Sequence, residues 1–168
     1  MEILETERLR LRVLAPDDTE TLTRICGDPH VMRFYREPWS PERVDGFVRY
    51  NIRLQAERGF SLWGVDHRET GQFIGFCGLI PQTVDGVEEI EVGYILHPEF
   101  WGRGLAPEAA WASRDFAFQR GVERVISLIN PQNQPSIRVA EKVGMRLDKA
   151  TEFNGRACLV YAVRCPRI

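Results

Sequence analysis

The chain carries no surplus of positive charge. Its 168 residues hold 22 Lys and Arg against 24 Asp and Glu, a formal net charge of -2, with a pI near 6.0. A nucleic-acid partner needs a basic footprint, so none is expected. No apolar run is long enough to span a bilayer, and no membrane association is expected. The opening MEILETERLRL is charged and has no apolar core segment, so no signal peptide is expected. Cysteine and histidine are sparse. Cys26, Cys77, Cys158 and Cys165 form no C-x-x-C pair and match no zinc spacing, and His30, His67 and His97 are scattered. No metal site is expected. The cysteines are read as reduced, buried small hydrophobes of a cytoplasmic protein. Repeats, low-complexity tracts and linkers are absent too, so residues 1–168 are expected to form one domain.

What remains is 43% hydrophobic and 27% charged, ample for a core. RLRLRVL (Arg8 to Leu14) alternates and predicts a half-buried strand, with Arg8, Arg10 and Arg12 on its solvated face. Pro16-Asp17-Asp18 starts a short helix. Ser40-Pro41-Glu42 opens a longer one, which Gly59 stops. Strands follow at Phe60 to Asp66, Gln72 to Ile80 and Glu88 to Leu96. A helix from about Leu105 ends at Gly121, and VISLI (Val125 to Ile129) predicts a strand buried on both faces. Gln134-Pro135-Ser136 begins the last helix. MRLDKATEF and ACLVYAV close the chain as a hairpin across Asn154-Gly155. This order predicts a mixed α/β sheet of about six to seven strands, antiparallel in its first half, with a β-α-β crossover and four flanking helices.

Two stretches carry chemistry. In WGRGLAPEAA, two glycines stand where a strand hands over to a helix. A helix N-terminus presents free N–H groups and a partial positive charge. Gly102 and Gly104 let those groups converge on an anion. No Gly-Lys-Ser/Thr follows, and the third glycine of a dinucleotide fingerprint is missing. In NPQNQPSIRVAEKVGM, Asn133 sits at the mouth of a helix and Ser136 in its first turn. Local capping would suit both.

Together these stretches resemble the GNAT superfamily of acyl-CoA-dependent N-acyltransferases, and most of all its RimJ/RimL-like branch, which acetylates ribosomal-protein N-termini. The family's Q/R-x-x-G-x-G/A motif is matched by Trp101-Gly102-Arg103-Gly104-Leu105-Ala106. The branch's N-x-x-S and its V-x-E-K-x-G-F-like ending are matched by Asn133 to Ser136 and Val139 to Met145. ETERLRLR and GYILHPEFWGRG look like the same branch. The resemblance implies a GNAT fold splayed between its fourth and fifth strands, with acetyl-CoA as co-substrate. It implies that Gly102, Arg103, Gly104, Leu105 and Ala106 form the diphosphate seat, with Arg103 as a charge partner. The backbone of Tyr94, Ile95 and Leu96 would hold the pantetheine arm as a false strand partner, and Asn133 and Ser136 would hold it from the other side. Trp101 stands where the family has Gln or Arg. Pro107 stands where the branch often has Thr, so one phosphate donor is missing.

For catalysis, the resemblance implies an amine attacking the thioester. A backbone N–H around Ile95 to Leu96 would take the oxyanion. Ser136 would protonate the thiolate, because the tyrosine that many relatives carry before the Glu-Lys pair is Ala140 here. Glu91 would be the base; Glu89 shares its strand face and would bind a cationic acceptor. Phe34, Tyr35 and Trp39 would line the acceptor pocket. The acceptor is a protein or peptide N-terminus or a small amine, an aminoglycoside included, on a monomer or homodimer. Rival readings are a catalytically silent acyl-CoA sensor of the same fold, an unrelated nucleotide binder and an interaction module.

Overall fold

The computed structural model describes residues 1–166; positions 167–168 of the expected 1–168 domain lie outside the described residues. Eight strands form one sheet in the order β1-β2-β3-β4-β5-β6-β8-β7. They are β1 (Glu2–Glu5), β2 (Leu9–Arg12), β3 (Leu62–His67), β4 (Phe73–Val84), β5 (Val87–Leu96), β6 (Arg124–Ile129), β7 (Arg146–Phe153) and β8 (Arg156–Arg164). The helices are α1 (Thr19–Cys26), α2 (Pro41–Arg58), α3 (Leu105–Gln119) and α4 (Gln134–Lys142). Among the described residues the count is eight strands rather than six or seven. The extra one, EILE, is too short and too charged to stand out, and it pairs with β2 as a hairpin.

The alternation of β2 buries Leu9 and Leu11 completely. Truncating either to Ala would cost ~2–5 kcal/mol, through lost burial and the cavity left behind. Only Arg10 of the three arginines follows the expected solvated face in full. Arg12 runs into a pair of carboxylates, donating to Asp18 at 2.8 and 2.9 Å and to Asp66 at 2.9 Å. Arg8 turns to α3. The helix signals worked as physics demands. The Ser40 side chain accepts from the Arg43 N–H, and Gly59 closes α2 with φ 75°.

Proline reads less simply. Pro81 should end a central strand, because it donates nothing to the ladder. Instead β4 continues to Val84, since β3 pairs with β4 only as far as Gly78. At Pro81 the strand has a neighbour on one side alone, Ile90 of β5.

Among the described residues a smaller cluster gathers Val84, Ile126 and Val160, and two large cores flank the sheet. One packs Trp63, Val92, Leu96, Leu105, Ala109 and their neighbours under α3 and α4. The other packs Leu22, Ile25, Val44, Val48, Phe76 and Ile95 under α1 and α2.

The feature that positions the site is the meeting of β5 and β6. They are parallel, and their register holds only at Glu91 against Ile126. Beyond that point side chains replace the ladder. Ser127 Oγ donates to the Val92 carbonyl at 2.9 Å, and the Leu128 N–H reaches Glu91 Oε1 at a long 3.4 Å. The strands then diverge into a wedge.

Candidate active site

The wedge opens into a cleft of about 420 Å³, walled by the end of β5, the glycine turn, the start of α3, α4 and the α1–α2 loop. Strand alternation decides what β5 offers it. The carbonyls of Val92 and Leu96 face the gap, where Ser127 and the Trp101 indole N–H (2.8 Å) reach them. The His97 N–H points the other way and donates to Ile74 of β4 at 2.7 Å. The backbone of Tyr94 and Leu96 therefore faces the wedge, and that of Ile95 faces β4. Of the three expected pantetheine holders, Tyr94 and Leu96 turn their backbone to the wedge, with the Leu96 carbonyl already accepting from Trp101, and Ile95 lines the cleft without doing so.

The glycine turn has the expected character. Gly102 and Gly104 sit at φ 73° and 77°, a conformation that side chains strain to adopt. Among the described residues, the N–H groups of Gly102, Arg103, Gly104, Leu105 and Ala106 donate to no protein acceptor. These are the donors an anion needs. Pro107 is the third residue of α3 rather than the first, still within the turn whose N–H groups have no helical partner. Arg103 is not brought to the cleft. Its guanidinium lies 5.1 Å from the Phe100 ring and its carbonyl accepts from Arg8.

Across the cleft, Asn133 caps α4 by accepting from the Ser136 N–H at 3.2 Å. Its own NH2 group donates to nothing among the described residues. Ser136 shares a hydrogen bond of 3.0 Å with the Tyr94 hydroxyl. Burial pushes that phenol up to about 12, so it holds its proton.

Glu91 lies at the apex. It borders a small cavity of about 50 Å³ with Tyr35, Tyr94 and Ser136. Gln82 Nε2 donates to its Oε2 at 2.9 Å. Burial raises its pKa to about 7, more than the hydrogen bonds from Gln82 and Leu128 lower it. Tyr35 is 43% exposed as a whole residue, yet its hydroxyl is buried, and burial and Glu91 drive its pKa up.

Three expected acceptor residues separate here. Phe34 and Tyr35 line the cleft. Trp39 does not: it packs on Phe47 at 5.1 Å and stacks over Phe76 at 6.4 Å, in the second core. Glu89 is also away from the cleft, paired with Arg124 at 3.3 Å. Sequence reasoning missed Arg33, Arg138 and Lys142, which line the cleft as cations. The i,i+4 spacing of Arg138 and Lys142 on α4 was the available signal. Among the described residues no cluster of His, Cys, Asp and Glu could hold a metal ion. No helix of the described residues is long and apolar enough to cross a membrane. All four cysteines are free.

The profile of the acetyltransferase (GNAT) domain matches residues 8–146. The chain belongs to the GNAT acetyltransferases. It is thus an acyltransferase with the GNAT fold. It is 37% identical over 160 residues to the Bacillus subtilis protein YkkB, covering 94% of this chain and 93% of that one. An Agrobacterium tumefaciens acetyltransferase is 31% identical, with a TM-score of 0.85 over 96% of this chain and 94% of that one. The ribosomal L7/L12 alpha-N-protein acetyltransferase RimL, in complex with coenzyme A, is 20% identical with a TM-score of 0.79 over 98% of both chains, a likeness of fold. Ribosomal-protein acetyltransferases from Vibrio cholerae and Vibrio fischeri, 21% and 18% identical, are also among its structural neighbours, again a likeness of fold alone.

Proposed function

We propose that this GNAT domain, residues 1–168 acting as one unit, transfers the acetyl group of acetyl-CoA to a primary amine in a ternary complex. The observation that carries the reading is the convergence, in one cleft, of the free N–H groups of the glycine turn, the unpaired edge of β5 and the Tyr94–Ser136 pair. Acetyl-CoA supplies an activated thioester. The N–H groups at Gly102, Gly104, Leu105 and Ala106 receive its diphosphate, and Arg33, Arg138 and Lys142 add positive charge nearby. The backbone of Leu96 and the Asn133 NH2 group bond the amides of its arm, as a strand edge takes an added strand.

Glu91, with its pKa near 7, accepts the proton of the incoming ammonium through a water. The neutral nitrogen then attacks the thioester carbonyl. The Tyr94 N–H is the gap-facing donor nearest the apex and takes the developing oxyanion. As the C–S bond breaks, Ser136 Oγ gives its proton to the departing sulfur and draws on the Tyr94 hydroxyl behind it. The amide product keeps the acyl carbon, Glu91 keeps the first proton until it is lost to solvent, and the second proton on nitrogen passes to water, which returns one to Tyr94.

For the acceptor, we favour a protein or peptide N-terminus. The RimJ/RimL-like motifs support it. A small amine fits the same chemistry. A panel of N-terminal peptides and small amines, followed by free-thiol release and product mass, tests the reading. It expects an amine-dependent mass gain of one acetyl group. Tight acetyl-CoA binding with no transfer to any amine would favour the silent sensor instead.

A further inference from the structure

Glu108 lies in the first turn of α3. From there an acidic side chain ordinarily folds back onto the free N–H groups of its own helix. This one is held elsewhere. Its Oε1 accepts from Thr6 Oγ1 at 2.6 Å and from the Arg8 N–H at 2.8 Å, and its Oε2 accepts from Arg8 Nε at 2.7 Å. Arg8 Nη1 donates to the Arg103 carbonyl at 2.7 Å. Arg8 Nη2 stands 3.5 Å from where a Cβ on Gly104 would lie. One guanidinium thus grips both flanks of the glycine turn: the peptide just before Gly104 and the carboxylate just after it. The grip is anchored, because Arg68 ties down the turn that carries Arg8, donating to the carbonyls of Thr6 at 2.6 Å and Arg8 at 2.9 Å. Burial pushes the Glu108 carboxyl up, but the bonds from Thr6 and Arg8 outweigh it and leave its pKa below the usual value. The carboxylate therefore stays charged beside the place where a diphosphate would sit.

We infer that Arg8 is a positioning residue for the phosphate seat: it draws Glu108 off the α3 N-terminus, cancels its charge and pins the Arg103 peptide, keeping the glycine-turn N–H groups free for an anionic ligand. This rests on the reading of the cleft as the coenzyme A site. The local charge at the seat is the testable quantity. With both side chains it is balanced. Arg8→Met leaves a bare carboxylate, Glu108→Gln leaves a bare guanidinium, and the double variant is balanced again.

The experiment measures Kd for coenzyme A and for S-acetylpantetheine, which lacks the diphosphate, on the wild-type chain and the three variants. Arg8→Met should weaken coenzyme A about tenfold, and Glu108→Gln should tighten it about two- to threefold. The double variant should return to within about threefold of wild type, and high salt should shrink these differences. S-acetylpantetheine should move less than about twofold throughout. A strut with a purely structural role would instead weaken both ligands together and leave the double variant at least as poor as Arg8→Met; that result overturns the inference. Should Arg8→Met fail to fold, Glu108→Gln still decides, and unchanged coenzyme A affinity in it overturns the inference. A wild-type chain that binds S-acetylpantetheine and not coenzyme A defeats the phosphate seat itself, a failure distinct from that of Arg8.

Discussion

The hydroxyls of Tyr94 and Ser136 lie 3.0 Å apart, joining β5 to the first turn of α4 across the wedge. Forty-two positions separate them in sequence. A serine hydroxyl is a weak acid by itself, so the partner matters. Ser136→Ala should lower kcat about ten- to hundredfold with little change in acetyl-CoA affinity. Tyr94→Phe should lower it less. The double variant should fall no further than Ser136→Ala, because the two act as one donor. Steady-state kinetics on all three variants checks this. Additive losses would separate the two residues.

Glu91 gives a pH signature. Its folded pKa, about 7, lies above its ordinary value of 4.5. Only the ionised form accepts a proton, so turnover should rise with pH through about 7 and then level. Glu91→Gln should abolish that limb along with most of the activity. An unchanged profile would move the base elsewhere.

The same shift affects stability. Between the two pKa values the folded chain binds more protons than the unfolded chain, so Glu91 makes stability fall as pH rises from 4.5 to about 7. Glu91→Gln removes that loss. The variant should be more stable than wild type at pH 8, by at most ~3 kcal/mol before discounting for the exposed part of the side chain, and so unfold at a higher temperature; the gain should vanish near pH 4.5. Thermal melts across that range check the sign.

Gly102→Asp places a negative charge in the glycine turn. A Cβ there meets nothing within 4 Å, and Asp tolerates the left-handed backbone better than most residues. The fold should survive with a loss of about 1 kcal/mol, while coenzyme A affinity should fall at least about tenfold. Comparing the melt with the Kd separates the two effects.

Glu89 should not matter to the acceptor. Its carboxylate belongs to Arg124, which also binds Asp148 at 3.0 Å. Glu89→Gln should cost about 1 kcal/mol of stability and leave the acceptor KM unchanged. A raised KM with a normal fold would return Glu89 to the substrate.

Much of this was legible in the residues because the signals were local. Ser40-Pro41, Gly59 and Asn154-Gly155 act through their own turns, and each did what its chemistry requires. The glycine turn and the Asn133 cap are likewise local, and both reached the cleft. What failed was decided by partners distant in sequence. Nothing near Glu89 announces Arg124, and nothing near Trp39 announces Phe76. Arg8 and Arg12 read as a wet face because Glu108, Asp18 and Asp66 lie on other elements. The strand expected to stop at Ile80 runs on through Pro81 for the same reason, since the end of β3 decides whether a missing N–H is felt. The wedge itself arises where side chains of Glu91 and Ser127 replace backbone pairing, a tertiary event with no local code.

The central claim is that the cleft between the end of β5 and α4 binds acetyl-CoA through the free N–H groups at the start of α3. Calorimetric titration of the purified chain with acetyl-CoA, with ATP and NAD as controls, tests it most directly. Saturable sub-millimolar binding of acetyl-CoA, with neither control binding comparably, is the expected result. No acetyl-CoA binding, or equal binding of all three, would contradict the account and leave WGRGLAPEAA as a tight turn alone.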